Sequence, residues 1–394
     1  MSPIADLSRG RAAIRLALAL TYFNFVGANA ARVVLTLYAL ELGAPAYAVG
    51  LIGGLLFLFP LLLSWPIGTL VDRHGSRGLV LFGSACGVVS LALPYFVNAL
   101  AALYVAAALN GLALAFFHVT LQHVIGTMSP PEERARNFSY FSLIGAVTNF
   151  SGPLMAGFSI DHLGHAAACL VGASQPLVAV VLVLAWGRLF PAGGPREARG
   201  PGAVGALKDR EILLMLATSG LVQLGQDLFH FFLPIYAHAI GLSASAIGII
   251  LAVLAVASFV VRLFLAPLIR RVGAEKLLVW VFFMGALGYA LLPFFTHPVA
   301  LAAIAFLFGL GMGVGVPLTV ILMFERSPEG RAGQTLGLRL TANNFVRMAG
   351  PIVFGAVGTA LGLPPVFWIN AAVMACGGVL SLAGAGPKAA ARKS

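Results

Sequence analysis

Charge is what this chain has least of. Only 9% of its 394 residues are Asp, Glu, Lys or Arg, and only 13 are acidic. Ordinary soluble domains carry about 25% charged residues, so this composition excludes a water-soluble fold. Cysteine is scarce as well. Cys86, Cys169 and Cys376 all lie inside apolar runs without paired spacing, which excludes a disulfide framework and a cysteine-ligated metal. The chain contains no His-Glu-x-x-His, no Gly-x-Gly-Asp and no Gly-x4-Gly-Lys. A membrane-embedded hydrolase and an ATP-driven pump therefore lack their recognisable machinery. Asp227 and His230 form the one His–carboxylate pair at helical spacing inside an apolar run, too little for a metal site. No enzyme activity, cofactor or metal is expected.

Apolar residues fill the gap: 60% of the chain is hydrophobic, and it holds 46 glycines, which membrane helices use for close packing. Runs of roughly 20 apolar residues cross a ~30 Å hydrocarbon core. Twelve such runs can be read, at about 13–40, 46–70, 78–97, 100–126, 136–160, 166–189, 211–239, 244–269, 276–296, 299–324, 333–360 and 364–385. The first is too long for a signal-peptide core, so cleavage is not expected. Of the 24 Lys and Arg, 20 fall before span 1 or after spans 2, 4, 6, 8, 10 and 12, and the alternate loops hold none. By the positive-inside rule both termini are cytoplasmic, in a multi-pass protein of the inner (plasma) membrane. That placement also accounts for the net charge of +11 without invoking nucleic acid.

The chain repeats itself at an offset of 198. Tyr38, Gly43, Gly50 and Gly75 fall on Tyr236, Gly241, Gly248 and Gly273. A Pro- and Gly-rich stretch, 191–210, separates six spans from six. The expected fold class is an all-α membrane protein with twelve transmembrane helices in two pseudo-symmetric six-helix lobes, 1–190 and 211–394, joined by a cytoplasmic linker at 191–210. Duplicated helical membrane proteins of this kind are most often transporters with the site between the repeats.

The loop between spans 2 and 3, Gly68-Thr-Leu-Val-Asp72-Arg73-His-Gly75-Ser-Arg77, closely resembles the signature of the major facilitator superfamily. A second block is also shared by the two halves. Ser129-Pro-Pro-Glu-Glu-Arg134-Ala leads to Gly152-Pro153 and Gly157, and Ser327-Pro-Glu-Gly-Arg331-Ala leads to Gly350-Pro351 and Gly355. The resemblance covers the whole chain. It implies alternating access by rocking of the lobes, with spans 3, 6, 9 and 12 against lipid and spans 1, 7, 8 and 11 bordering a central cavity. It also implies a cytoplasmic latch made by Gly68, Asp72, Arg73, Gly75 and Arg77, in which Gly68 permits close helix approach and Asp72 faces the N-terminus of span 11. In span 5 the exporter pattern is only partly matched, because Thr148 and Ala156 stand where that pattern has glycines.

Few charges enter the spans. Arg32, Arg262, Arg339, Arg347 and Asp227 are the deep ones, and each costs at least ~2.5 kcal/mol unless it faces water or a partner. Span 7 carries Gln223, Gln226, Asp227 and His230 on one helical face, and span 11 carries Arg339, Asn343 and Arg347 on another. Under the offset, Asp227 matches Asn29 and His230 matches Arg32, so Arg32 is one candidate partner for Asp227. Arg262 reads as a ligand or a gate, and Arg339 as a second polar contact or a snorkelling side chain. Span 4 adds Asn110, His118, Gln122 and His123. Asp161, His162 and His165 read as solvated rim residues.

Four arginines against one aspartate favour an anion, which the planar guanidinium holds well. The first expectation is therefore a proton-coupled secondary transporter of a small organic anion, working as a monomer. Arg32, His118, Gln223, Arg262, Asn343 and Arg347 would bind substrate. Asp227 with His230 would carry the proton, bound and released as the carboxylate gains and loses an arginine neighbour. The alternative is a proton-coupled exporter of amphipathic or cationic compounds; a membrane-embedded enzyme or a sensor ranks behind both.

Overall fold

A backbone inside hydrocarbon must satisfy its own N–H and C=O groups, and a run of apolar residues does so by coiling into a helix. The computed structural model describes residues 3–190, 210–326 and 332–384, and these are helical almost throughout. The proposed linker, 191–210, lies almost wholly outside the described residues. The first half contains α1 (Pro3–Glu41), α2 (Ala46–His74), α3 (Ser76–Phe96), α4 (Leu100–Met128) and α5 (Pro131–Trp186). The second contains α6 (Arg210–Ala239), α7 (Ala244–Leu263), α8 (Leu265–Val272), α9 (Ala274–Leu291), α10 (Pro298–Met312), α11 (Gly315–Arg326), α12 (Ala332–Leu361) and α13 (Leu363–Gly384).

Eleven helical segments among the described residues are long and apolar enough to cross a membrane. One of them, 136–189, runs 54 residues, about 80 Å of helix and far more than one crossing needs. It is broken at Gly164, whose φ of 81° and ψ of 167° are not helical. Its two arms fold back on the same turn of α1. A Cβ on Gly152 would lie 2.7 Å from the Asn29 side chain, and one on Gly27 would lie 2.8 Å from the Pro176 ring. The segment thus makes two crossings, and the described residues contain twelve.

The 198-residue repeat is written in the backbone. Six glycines among the described residues have positive φ: Gly43, Gly75, Gly164, Gly241, Gly273 and Gly362. They form three pairs at that offset, each at a turn where an L side chain would be strained. The hydrogen bonds around them repeat too. Gly43 N donates to Leu40 O and Gly241 N to His238 O, both at 2.9 Å. Gly75 closes α2 onto Val71 O and Gly273 closes α8 onto Ile269 O, again both at 2.9 Å.

The chain divides into two compact units, Met1–Arg199 with Ser243–Gly248, and Gly200–Leu242 with Ile249–Ser394. The first is packed around Leu20, Phe117, Leu121 and Val183. The second is packed around an aromatic knot on α6, α9 and α10. There Phe229 stacks on Phe308 with centroids 3.8 Å apart, and Tyr289 meets both rings edge-on. The buried Tyr289 hydroxyl donates to Gly225 O at 2.6 Å, which satisfies its one polar atom. Large apolar side chains such as Phe96, Leu263 and Trp280 stay exposed, as a lipid-covered surface requires.

Candidate functional site

The second unit holds the clearest polar constellation, and it is built on α6. The i, i+3, i+4, i+7 spacing of Gln223, Gln226, Asp227 and His230 puts them on one face of that helix. Gln223 Nε2 donates to Asp227 Oδ2 at 2.6 Å. Arg347 of α12 reaches the same oxygen, with Nε 3.0 Å away. The Asp227 side chain is 10% exposed and that of Arg347 27%, so the pair is nearly dry on the acid side and open on the base side. Gln226 Nε2 donates to Met312 O, and the His230 imidazole contacts Gln226 O through Nδ1 at 2.8 Å. Three of the residues expected at the site (Gln223, Asp227 and Arg347) therefore meet. His230 bonds back to its own helix.

Asn343 belongs to a different cluster. Ser219 Oγ donates to Asn343 Oδ1 at 3.1 Å, and Arg339 donates to Ser219 Oγ at 3.1 Å and to Thr319 Oγ1 at 3.4 Å. Arg339 is buried, which rules out snorkelling for this side chain, and its partners among the described residues are hydroxyls. The network ties α6, α11 and α12 together. Ser219 and Thr319 were not anticipated, because no spacing rule joins residues of three separate helices.

Arg262 points to a helix break. Its Nε donates to Gly313 O at 2.7 Å. Gly313 stands between α10 and α11, where carbonyls at a helix C-terminus attract a cation. The sequence signal was present, since Gly311, Gly313 and Gly315 alternate there and glycine runs interrupt helices.

In the first unit Arg32 sits over the Phe57 ring at 5.4 Å. His118 is hydrogen-bonded to Gln122 at 2.9 Å, stacks on Phe141 and meets Phe25 edge-on. Asn29, the repeat mate of Asp227, donates to Thr148 of α5 at 3.4 Å. The α1–α5 contact here is between neutral groups, and Arg347 itself matches Asn149 under the offset.

The loop signature divides by role. Gly75 and Arg77 do local work: Gly75 has the positive φ noted above, and the Arg77 side chain packs over Gly187. Arg73 is exposed. A Cβ on Gly68 would meet nothing within 4 Å among the described residues. The side chain of Asp72 and those at the start of α12 lie outside the described residues.

Asp161 is more than a solvated rim residue. Its carboxylate accepts from Ala244 N at 2.9 Å and Ser245 N at 2.8 Å, within the first unit. Ser243 Oγ accepts from Ala246 N at 3.2 Å, so two side chains share the capping of α7. Just below, a Cβ on Gly248 would lie 2.7 Å from Pro153 O. The Gly152-Pro153-x3-Gly157 pattern therefore has a packing role here. His165 stacks on Tyr38 with centroids 5.7 Å apart.

Comparison with known proteins follows the same lines. The family model described as Major Facilitator Superfamily matches residues 17–347 and 215–394. The chain is similar to a protein of Salmonella choleraesuis named multidrug resistance protein MdtG, at 25% identity over 86% of this chain and 87% of that one. It is 26% identical to the protein of that name from Citrobacter koseri, over 86% of each. Among solved structures, nucleoside transporter NupG superposes with a TM-score of 0.76 at 14% identity, covering 95% of this chain and 100% of that one. A POT family transporter in complex with 5-aminolevulinic acid gives 0.78 at 12% identity, covering 94% and 95%. At these identities the two structures speak for the fold.

Proposed function

The chain belongs to the major facilitator superfamily, and from that premise we propose that this secondary transporter exports amphipathic compounds in exchange for protons, with Asp227 and Arg347 as the proton-responsive pair. The observation that carries the reading is the 3.0 Å ion pair on α6 and α12, buried on the carboxylate side. A charge pair in a low-dielectric span is held by mutual attraction, and removing one charge leaves the other badly placed. Protonation of Asp227 does this: it frees Arg347 to turn toward water or substrate, and deprotonation draws it back. Gln223, bonded to the same oxygen, keeps the carboxyl oriented in either state.

The arginine surplus argues less for an anion than the sequence implied. Arg262 is bound to a helix-end carbonyl, Arg339 to hydroxyls and Arg347 to Asp227, while Arg32 lies over an aromatic ring. Each is engaged within its own unit. The partly exposed rings of Phe25 and His118, packed on the buried Phe141, offer flat, weakly polar surface of the kind amphipathic compounds favour. The relatives' name, multidrug resistance protein, points the same way. The partial exposure of Arg347 supports a second reading, a small organic anion bound at that guanidinium. In this reading both termini are cytoplasmic, as the Lys and Arg distribution favours, and the protein acts as a monomer in the inner membrane.

Proteoliposomes with an imposed pH gradient separate the two substrates. Accumulation of lipophilic cations and neutral amphiphiles, with small carboxylates inert, is the expected result. Transport of carboxylates alone, abolished by Arg347→Gln, would transfer the assignment to the anion reading.

A further inference from the structure

A cavity of about 460 Å³ lies in the first unit where α1 and α5 begin, far along both helices from Asn29 and Thr148. Its lining alternates between two chemistries. Arg11, Arg15, Arg136 and Glu133 supply charge; Ile14, Leu18 and Tyr140 supply apolar surface. The order along each helix is the same. On α1, Arg11, Ile14, Arg15 and Leu18 share one face at i, i+3, i+4, i+7, with charge first and hydrocarbon deeper. On α5, Arg136 precedes Tyr140 by one turn.

Glu133 is the one carboxylate among the described lining residues. It accepts from Arg136 at 2.9 Å and stands 3.9 Å from Arg11. Arg15 has no carboxylate partner among the described residues, although it is one turn from Arg11 on the same face. Like charges at that spacing repel. Asn137, also in the lining, is buried and donates to Ser129 Oγ at 2.8 Å, which ties the start of α5 to the residue that follows α4.

Three guanidiniums around one carboxylate leave net positive charge beside a space that opens onto apolar side chains. We infer that this cavity binds the phosphate of an anionic phospholipid, with the headgroup held by Arg11, Arg15 and Arg136 and the glycerol end against Ile14, Leu18 and Tyr140. Arginine forks suit phosphate oxygens. Free inorganic phosphate would use the same guanidiniums, but it would gain nothing from the apolar residues, and those decide for the lipid. Basic pockets between membrane helices at the headgroup level behave in this way. Its residues all belong to the first unit and none is in the Asp227–Arg347 pair, so the inference does not depend on what the protein carries.

The test is native mass spectrometry of the full-length protein in detergent, with phosphatidylglycerol or phosphatidylcholine of identical chains. The wild type is expected to retain one phosphatidylglycerol in preference to phosphatidylcholine. Arg15→Gln weakens that retention by about five-fold, and each further Arg→Gln at 11 and 136 by a similar factor. Glu133→Gln strengthens it, since the competing carboxylate is gone, and a merely structural role would not give that sign. Should the triple variant fail to fold, the single Arg15→Gln, at an exposed position, decides the matter. Equal retention of both lipids, or unchanged retention in Arg15→Gln, overturns the site. Displacement of phosphatidylglycerol by millimolar inorganic phosphate as readily as by added lipid overturns the lipid assignment.

Discussion

The Asp227–Arg347 pair yields a prediction that can be worked in numbers. Two unit charges 3.0 Å apart attract by about 5 to 6 kcal/mol at an effective dielectric constant of about 20. Desolvation returns much of this, and the 27% exposure of Arg347 lowers it further. The net coupling between the two side chains is then about 1–3 kcal/mol, within the range seen for neighbours in one charge network. Asp227→Asn and Arg347→Gln each leave one buried or half-buried charge without its counterpart, so each should destabilise by about 2–3 kcal/mol. The double variant should lose well under the sum, because no orphaned charge remains. Unfolding by dodecyl sulfate in mixed micelles, followed by the four tryptophans, reads all four corners of the cycle. Effects that add to within about 0.5 kcal/mol would mean that the two groups do not interact, and the reasoning about their shared proton would fall with that result.

Three further outcomes follow from the geometry. Gly75→Ala and Gly273→Ala should each cost about 1–3 kcal/mol, because both sites have strongly positive φ with extended ψ, and the two losses should match since the turns are equivalent. Gly68→Ala, with open space around it, should change thermal stability by less than about 0.5 kcal/mol. Asp161→Asn should cost about 1 kcal/mol by weakening two charge-assisted bonds at the start of α7; a melting temperature equal to wild type would return Asp161 to a solvated rim role.

Local patterns were easy to read in the sequence. The Tyr38/Tyr236 and Gly43/Gly241 matches announced the repeat, and the same offset held a third turn pair, Gly164 and Gly362, that completes it. Helical spacing placed Gln223 and Asp227 on one face, and their hydrogen bond follows directly. Partnerships between distant helices were much less legible. Asp227 and Arg347 are separated by most of the second half of the chain, and no periodic pattern links them. Arg339 is the plainest case. Its depth along α12 left a polar contact and a side chain stretching to the interface both open, and Ser219 and Thr319 take it inward. A hydroxyl on another helix leaves no periodic trace, so no reading of one strip of sequence could have found it.

The central proposal, that proton exchange at Asp227 drives export, is tested most directly by proton flux. Sealed proteoliposomes containing a pH-sensitive dye, with no imposed gradient, are given an amphipathic substrate on one side. Wild type should show a pH change that follows substrate movement, while Asp227→Asn should still exchange substrate between the two sides with no accompanying proton signal. A proton signal of wild-type size in Asp227→Asn would contradict the account.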